Sequence, residues 1–130
     1  SLKLPESSVE EETAMAGTAI VFLNGPYSEK TGEGIDMLLA ASAFDEEITA
    51  IFMGEGVKNL IEPREKSSSL PDLSGRFRML ELYDVRNLYA SEKDLRLYGI
   101  DTSEFIVQAK AVSDDVLSSI IHSATNILTF

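Results

Sequence analysis

Two short apolar runs, each ended by a glycine-containing turn, are the clearest pattern in the chain. The first, Thr18–Leu23, is followed by Asn24-Gly25-Pro26, and the second, Ile48–Met53, is followed by Gly54-Glu55-Gly56. Near-continuous apolar runs of this length are typical of parallel strands covered on both faces. We therefore predict two buried parallel strands here.

The segment between these two runs has helical periodicity. Within Thr31–Ala43, the apolar residues Ile35, Leu38 and Leu39 share one helical face, and acidic Glu33 lies in the first turn, where the helix dipole favours a negative charge. A strand, a helix and a second strand in this order predict a right-handed crossover between parallel neighbours.

The second half of the chain continues the alternation of helices and strands. In chain order the pattern predicts a short helix over 57–61, a surface loop over 62–75, a helix over 77–83, a strand over 87–90, a helix over 92–98 with Ser91 as its N-cap, a strand over 105–109, a helix over 114–123 and a strand over 127–130. The helix over 114–123 has four apolar residues expected to face inward: Val116, Leu117, Ile120 and Ile121. The predicted fold class is α/β, a three-layer flavodoxin-like sandwich with a five-stranded, mainly parallel sheet.

The composition indicates one domain with an acidic arm. The 130 residues suffice for one substantial core, which we assign to residues 16–130. Residues 1–15 are rich in glutamate and serine, so we expect a disordered N-terminal arm. The loop over 62–75 contains Pro63, Pro71 and three consecutive serines and is expected to be mobile. The sequence leaves the roles of the arm and the loop open.

The charge balance bears on possible partners. The chain has 22 acidic and 11 basic residues and a formal net charge of −11, which would repel a nucleic-acid backbone. No apolar run approaches the roughly 20 residues that a membrane span needs. We therefore expect no direct nucleic-acid binding, no membrane association and a cytoplasmic location.

Two residue counts limit the possible chemistry. The chain has no cysteine, which excludes disulfides, thiolate zinc sites, iron–sulfur clusters and a cysteine nucleophile within these residues. His122 is the only histidine, so a multi-histidine metal site is excluded as well. We expect no catalytic residue, no cofactor-binding residue, no metal ligand and no cofactor.

Ligands of open α/β sheets bind beyond the carboxyl ends of the strands. In this chain those positions are Asn24–Gly34, Gly54–Gly56 and Ala90-Ser91. Gly32-Glu33-Gly34 has neither the dinucleotide-binding spacing nor that of a phosphate-binding loop, and Glu33 would repel a phosphate. The pattern therefore does not favour a nucleotide site.

Several motifs together resemble a known family. They are Gly34-Ile35-Asp36-Met37-Leu38-Leu39-Ala40, Ser42-Ala43 before the acidic turn, Phe52-Met53-Gly54-Glu55-Gly56-Val57, Leu82-Tyr83-Asp84, Leu95 with Tyr98-Gly99-Ile100, and Ile127-Leu128-Thr129-Phe130. In order and spacing, over about residues 17–130, the chain resembles the DsrF/TusC family of DsrE/DsrF-like sulfur-relay subunits. It departs from many members at Tyr27-Ser28-Glu29 and in the acidic arm.

The resemblance implies a function without a catalytic residue in this chain. Such subunits belong to DsrEFH or TusBCD hexamers, with two copies each of three similar chains, which relay sulfur as a protein persulfide. The acceptor cysteine belongs to the DsrE/TusD-like partner, and a DsrH/TusB-like subunit completes the assembly. The resemblance leaves open whether the sulfur serves 2-thiolation of wobble uridine in tRNA or intracellular sulfur oxidation.

The candidate interface of such a subunit consists of Val57, Tyr83, Asp84 and Tyr89. Its apolar and aromatic members, Val57, Tyr83 and Tyr89, are expected to be partly exposed on the isolated chain and covered by partners. The alternative is that the three apolar or aromatic members are core residues. Two other functions also remain open. One is a small-molecule-binding flavodoxin-like domain with a deep pocket at the strand exits, and the other is a DsrE-like homo-oligomer without a sulfur-transfer role.

Overall fold

The computed structural model describes residues 17–44, 47–64 and 74–130. These residues form five strands, four α-helices and three 3-10 helices. The strands are β1 (Thr18–Phe22), β2 (Ile48–Phe52), β3 (Asn87–Ser91), β4 (Lys110–Val112) and β5 (Asn126–Thr129). The α-helices are α1 (Glu29–Ser42), α2 (Met79–Leu82), α3 (Glu92–Leu97) and α4 (Asp114–Ser123). The 3-10 helices span Gly54–Leu60, Ser74–Arg78 and Thr102–Glu104.

The five strands form one sheet in the order β4-β3-β2-β1-β5, and all neighbouring pairs are parallel. The chain moves in one direction from β1 to β4 and then returns across the sheet to β5. Right-handed crossovers therefore carry α1, α2 and α3 to one face of the sheet and α4 to the opposite face. This confirms the predicted α/β fold with a five-stranded parallel sheet and helices on both sides.

The two faces of the sheet are covered unequally. On the first face, residues such as Ile20, Phe22 and Phe52 pack against α1, the 54–60 helix, α2 and α3 in the main core. On the second face, Ala19, Val21 and Ile51 pack mainly against Leu117 of α4. The main core thus lies on the first face, and among the described helices only α4 packs on the second.

Three phenylalanines organise the main core beneath the strand ends. The ring of Phe22 stacks on that of Phe52 with centroids 5.2 Å apart, and Phe77 meets both edge-on at 5.1 and 5.4 Å. Close approach of the backbone accompanies this packing. A Cβ atom at Gly56 would lie 1.8 Å from the carbonyl oxygen of Phe22, so only glycine fits where the 54–60 helix crosses the end of β1.

Most predicted elements are present. The helix over 114–123 has the predicted bounds, Ser91 Oγ accepts a hydrogen bond from Asp94 N–H as the N-cap of α3, and 77–83 is largely helical. The short helix over 57–61 is longer than predicted, of 3-10 type, and begins at Gly54.

The prediction of a strand over 105–109 is wrong. The fourth strand is Lys110–Val112, which pairs with Tyr89–Ser91. The preceding apolar residues instead pack against the main core without a strand partner, and Ile106 N–H donates to Leu60 C=O at 2.7 Å. The inward face of α4 is also narrower than predicted, because Leu117 is buried whereas Val116 is 43% exposed.

Two expectations concern residues that are not described. The disordered arm over 1–15 lies outside the described residues, and so do residues 65–73 of the predicted loop. Within the described ranges, no helix has the length and the apolar character that crossing a bilayer requires.

Candidate functional site

A cleft of about 520 Å³ opens beyond the carboxyl ends of β1 and β2. Its wall combines the turn after β1, the 54–60 helix, the segment that follows this helix, and the end of α3. The lining residues are Gly25, Pro26, Tyr27, Ser28, Glu55, Lys58, Ile61, Pro63, Arg64, Tyr98 and Ile100. The cleft lies where open α/β sheets usually bind ligands.

Buried side chains fix the turn that forms one wall of the cleft. Thr31 Oγ1 donates to the carbonyl oxygens of Asn24 and Gly25 at 3.0 and 2.7 Å, as alternative acceptors. Asn59 Nδ2 donates to the carbonyls of Asn24 and Gly56 at 2.8 and 3.0 Å. Thr31 and Asn59 are both fully buried. They therefore anchor the turn after β1 to α1 and to the 54–60 helix.

Asn59 has one unusual feature. Its Oδ1 atom is buried and has no hydrogen-bond partner among the described residues. Both donors of the side-chain amide are nevertheless used on backbone carbonyls. The residue therefore acts here as a donor that satisfies two main-chain acceptors.

Three side chains form a polar network across the mouth of the cleft. Tyr98 Oη donates to Glu55 Oε2 at 2.9 Å, and Lys58 Nζ lies 2.9 Å from Glu55 Oε1. The same ammonium group lies 4.6 Å from the centroid of the Tyr98 ring. We call these three residues the Glu55 network. Hydrogen bonds from Lys58 and Tyr98 lower the pKa of Glu55. The hydrogen bond that Tyr98 donates to Glu55 raises the pKa of Tyr98.

Arg64 forms a second set of contacts beside the network. Its guanidinium donates to the carbonyl oxygens of Tyr98 and Gly99 at 3.0 and 2.9 Å and to Glu104 at 3.0 Å. The backbone N–H of Asp101 and the Arg64 guanidinium lower the pKa of Glu104. Backbone and side-chain hydrogen bonds from Ser103 lower the pKa of Asp101. Arg64 thus holds the end of α3 against the segment after the 54–60 helix.

This arrangement is suited to binding or to structural support. The polar side chains of the cleft are paired with groups of the chain itself. Glu55, Lys58 and Tyr98 contact one another, and Arg64 bonds to Glu104 and to backbone carbonyls. Among the described residues, no group of three or more histidine, aspartate or glutamate side chains is placed to hold a metal ion. The cleft therefore offers a shaped, mixed polar and apolar surface with paired charges.

The other predicted strand-exit positions lie elsewhere. Gly32-Glu33-Gly34 lies inside α1, with Gly34 packed against Phe22 and Phe130. Ala90 and Ser91 are buried. Asp94, which Ser91 helps to position by capping α3, accepts a hydrogen bond from Gly54 N–H at 2.7 Å. These contacts tie α3 to the turn after β2 rather than to the cleft.

The candidate interface residues occupy three different environments. Val57 is fully buried in the main core, so the expectation that it is exposed is wrong. Tyr83 is 46% exposed at the end of α2, next to Asp84, which has a left-handed backbone with φ of 62° and accepts a hydrogen bond from Arg86 Nε at 2.6 Å. Tyr89 is half-buried on the second face of the sheet. The candidate residues therefore do not form one patch.

Sequence reasoning missed Lys58, Arg64 and Tyr98 as cleft residues. The spacing of Glu55 and Lys58, three apart in a helix, is a recognisable sign of an ion pair. Nothing in the local sequence brings Arg64 and Tyr98 together, because their contact depends on how α3 packs against the 54–60 helix.

With the fold and the cleft described, comparison with known proteins defines the class. The model of the DsrE/DsrF-like family matches residues 17–130. The chain therefore belongs to the DsrE/DsrF-like family.

Curated relatives cover nearly all of the chain. It is 30% identical over 118 residues to the Protein TusC homolog of Vibrio vulnificus strain CMCP6, covering 89% of this chain and 100% of the relative. It is 31% identical over 119 residues to Protein TusC of Klebsiella pneumoniae strain 342, with the same coverage of both chains. It is also 32% identical over 119 residues to Protein TusC of Escherichia coli O8 strain IAI1, again over 89% of this chain and 100% of the relative.

A solved structure has the same fold. The crystal structure of the ychN protein from E. coli matches with a TM-score of 0.74 at 18% identity, covering 88% of this chain and 99% of that chain. This likeness concerns the fold alone. It agrees with the parallel sheet described above.

Proposed function

We propose that this chain is a non-catalytic subunit of a sulfur-relay complex of the DsrEFH or TusBCD type. The main support is its membership of the DsrE/DsrF-like family, together with about 30% identity to TusC proteins over their whole length. The 130 residues contain no cysteine, so none of them can carry a persulfide. A cysteine-bearing DsrE/TusD-like partner would receive the sulfur.

The proposal includes the partners and the setting. A DsrH/TusB-like chain would complete a heterohexamer that works in the cytoplasm, on either tRNA wobble-uridine 2-thiolation or intracellular sulfur oxidation. The acidic character of the chain, with a net charge of −11, supports an assembly in which another subunit or a later carrier handles any RNA. The exposed Tyr83 and Asp84 at the end of α2 are the proposed partner contacts. Tyr89, on the second face of the sheet, is a further candidate.

The test is assembly with the most similar cysteine-bearing paralogue and the TusB-like chain from the same organism. Size-exclusion chromatography with light scattering should give a mixed complex near the mass of a hexamer. Tyr83→Lys should weaken this complex. The control is Leu97→Lys, which also introduces a lysine, at a residue of α3 that is 69% exposed. If the chain forms no complex with either partner at equimolar mixing, the proposal is wrong.

The cleft supports a second candidate, a small-molecule-binding domain. Its volume of about 520 Å³ and its lining by Tyr27, Lys58, Arg64 and Tyr98 fit a small polar ligand. The test is chemical-shift mapping of the ¹⁵N-labelled chain with a set of small anionic and neutral polar fragments. Shifts gathered at 25–28 and 54–60 would support this candidate, and absent or scattered shifts would contradict it.

A further inference from the structure

The turn after β1 contains an asparagine followed directly by a glycine, Asn24-Gly25. The side-chain amide of an asparagine can react with the backbone nitrogen of the next residue, and glycine hinders this reaction least because it has no Cβ atom. The other three asparagines, Asn59, Asn87 and Asn126, precede leucine or isoleucine. Asn24 is therefore the asparagine of this chain best suited to such a reaction.

The dipeptide is accessible to water. Asn24 and Gly25 are both half-buried, and Gly25 lies in the wall of the cleft. No described backbone group accepts a hydrogen bond from the Gly25 N–H. The reaction therefore breaks no backbone hydrogen bond of this nitrogen among the described residues.

Two buried side chains donate to the carbonyl oxygen of the peptide group that joins Asn24 and Gly25. Asn59 Nδ2 donates to this oxygen at 2.8 Å, and Thr31 Oγ1 donates to it at 3.0 Å as one of its two alternative acceptors. When the Gly25 nitrogen loses its proton, the negative charge is shared with the same oxygen. Donors that point at an oxygen where charge develops stabilise that charge, as in an oxyanion hole. Asn59 and Thr31 therefore favour the deprotonated, nucleophilic form of the Gly25 nitrogen.

A charged pair lies beside the dipeptide. A Cβ atom at Gly25 would lie 4.0 Å from Glu55 Oε1, and that oxygen pairs with Lys58 Nζ at 2.9 Å. A lone carboxylate here would oppose a developing negative charge on the Gly25 nitrogen. Because the ammonium group offsets the carboxylate, the pair adds no net charge, and the effect of the two buried donors remains.

We propose that Asn24 is a self-modification site, at which the folded chain converts its own asparagine to aspartate and isoaspartate. The deprotonated Gly25 nitrogen attacks Cγ of Asn24, a C–N bond forms, and the side-chain nitrogen leaves as ammonia. The proton that the backbone nitrogen loses is balanced by the proton that the leaving nitrogen gains. Water then opens the five-membered imide ring. Opening at Cγ gives aspartate, and opening at the main-chain carbonyl carbon gives isoaspartate, without any oxidant, reductant or cofactor.

The products change one wall of the cleft. Both place a carboxylate in the turn after β1, where the asparagine side chain was neutral. Isoaspartate also lengthens the backbone by one carbon atom, which displaces the carbonyl group that Asn59 and Thr31 hold. The modification thus alters the cleft with water as the only co-reactant. The inference does not rest on the sulfur-relay function, because it concerns only this chain and water.

The first test follows the folded wild type in a mildly alkaline buffer by peptide mapping and mass spectrometry. We expect the peptide with Asn24 to exchange NH for O and to separate into aspartate and isoaspartate forms, with a matching release of ammonia. The exposed Asn87 and Asn126 should stay unchanged. Gly25→Ala, whose Cβ would have ordinary contacts, should slow the modification roughly tenfold because a side chain hinders the attacking nitrogen.

A matched pair of variants tests the buried donors. Thr31→Val removes the hydroxyl donor and keeps the branched shape, whereas Thr31→Ser keeps the hydroxyl. Thr31→Val should slow the modification roughly threefold or more, because one donor to the developing charge is gone. Thr31→Ser should react at the wild-type rate. Urea unfolding identifies conditions in which both variants are fully folded, and the rates are compared there.

The chain unfolded in urea serves as the reference for the intrinsic reactivity of the dipeptide. If Asn24 stays unmodified in the folded wild type but is modified in the unfolded chain, the fold protects the site and the proposal is wrong. Equal rates in Thr31→Val and Thr31→Ser would also overturn it, because the hydroxyl donor would then have no part in the reaction. Modification of Asn87 or Asn126 at the rate of Asn24 would contradict it as well.

Discussion

The Tyr98 hydroxyl donates a hydrogen bond of 2.9 Å to the Glu55 carboxylate across 43 positions of sequence. This bond joins the residue after α3 to the 54–60 helix at the mouth of the cleft. Lys58 contacts both groups, so a cation, a carboxylate and a phenol share one network. Titration of the Glu55 carboxylate and of the Tyr98 phenol should therefore be coupled to the stability of this wall of the cleft.

Loss of the Glu55 carboxylate should reduce the acid sensitivity of the protein. The pKa of Glu55 lies below its usual 4.5 in the folded protein because of hydrogen bonds from Lys58 and Tyr98. The stabilisation is therefore complete above the unfolded-state pKa and is lost as the pH falls through the folded-state pKa. Glu55→Gln should lose less stability than wild type between about pH 6 and pH 3, measured by urea unfolding.

The control for that experiment is Glu92→Gln, which removes the same charge from an exposed residue of α3. Glu104 and Asp101 also have lowered pKa values, so some acid sensitivity should remain in Glu55→Gln. If Glu55→Gln has the same pH dependence as wild type, the network does not contribute to acid stability.

Tyr98 should be distinguishable in an alkaline titration. Its hydrogen bond to Glu55 raises its pKa above the usual 10.0, so the resulting stabilisation is present below pH 10 and is lost as the pH rises through the folded-state pKa. The chain has four tyrosines. In tyrosinate absorbance, Tyr98→Phe should lose about a quarter of the amplitude, taken from the high-pH end of the curve.

Two further variants test the origin of that shift. Glu55→Gln should move the last part of the titration to lower pH, because the negative partner that holds the phenolic proton is gone. Tyr83→Phe gives a matched loss of one tyrosine at an exposed position. An unchanged high-pH end in Glu55→Gln would mean that Glu55 does not raise the pKa of Tyr98.

Gly56 should not tolerate a side chain. A Cβ atom there would lie 1.8 Å from the Phe22 carbonyl oxygen, and backbone atoms cannot move aside as a flexible side chain can. Gly56→Ala should cost roughly 3 kcal/mol or more of unfolding free energy. Gly25→Ala is the control, since its Cβ would have ordinary contacts at 3.8 Å or more. Similar unfolding midpoints for the two variants would contradict the close approach.

The stability of the protein should depend on the amide donors of Asn59. Asn59→Asp keeps the shape but replaces the Nδ2 donor to the Asn24 and Gly56 carbonyls with an acceptor in a fully buried place. We expect a loss of roughly 3 kcal/mol near pH 7, because two backbone acceptors lose their partner and a charge is buried. The exposed Asn87→Asp controls for the added charge. Thermal and urea unfolding measure both changes, and equal losses would contradict the donor role of Asn59.

The wrong prediction of a strand over 105–109 shows that an apolar pattern alone does not identify a strand. Phe105, Ile106 and Val107 read as a strand, and they do pack against the main core. Their backbone, however, has no strand neighbour, and Ile106 N–H bonds to Leu60 C=O instead. The segment bends at 106 and 107, and Ala109 N–H bonds to Val107 C=O at 3.1 Å. A bent segment that packs against the core can have the same apolar pattern as a strand, so only the backbone contacts distinguish them.

The sequence by itself determined the strands β1, β2 and β3, the helix α4 and the N-cap at Ser91, because apolar runs, helical periodicity and caps are properties of neighbouring residues. Its ordered motifs also identified the family. Only the tertiary structure decided that Val57 is buried, that Tyr98 contacts Glu55, and that β5 lies beside β1 in the sheet. These features depend on contacts between segments far apart in the chain, whose positions are set by how the whole sheet and its helices pack.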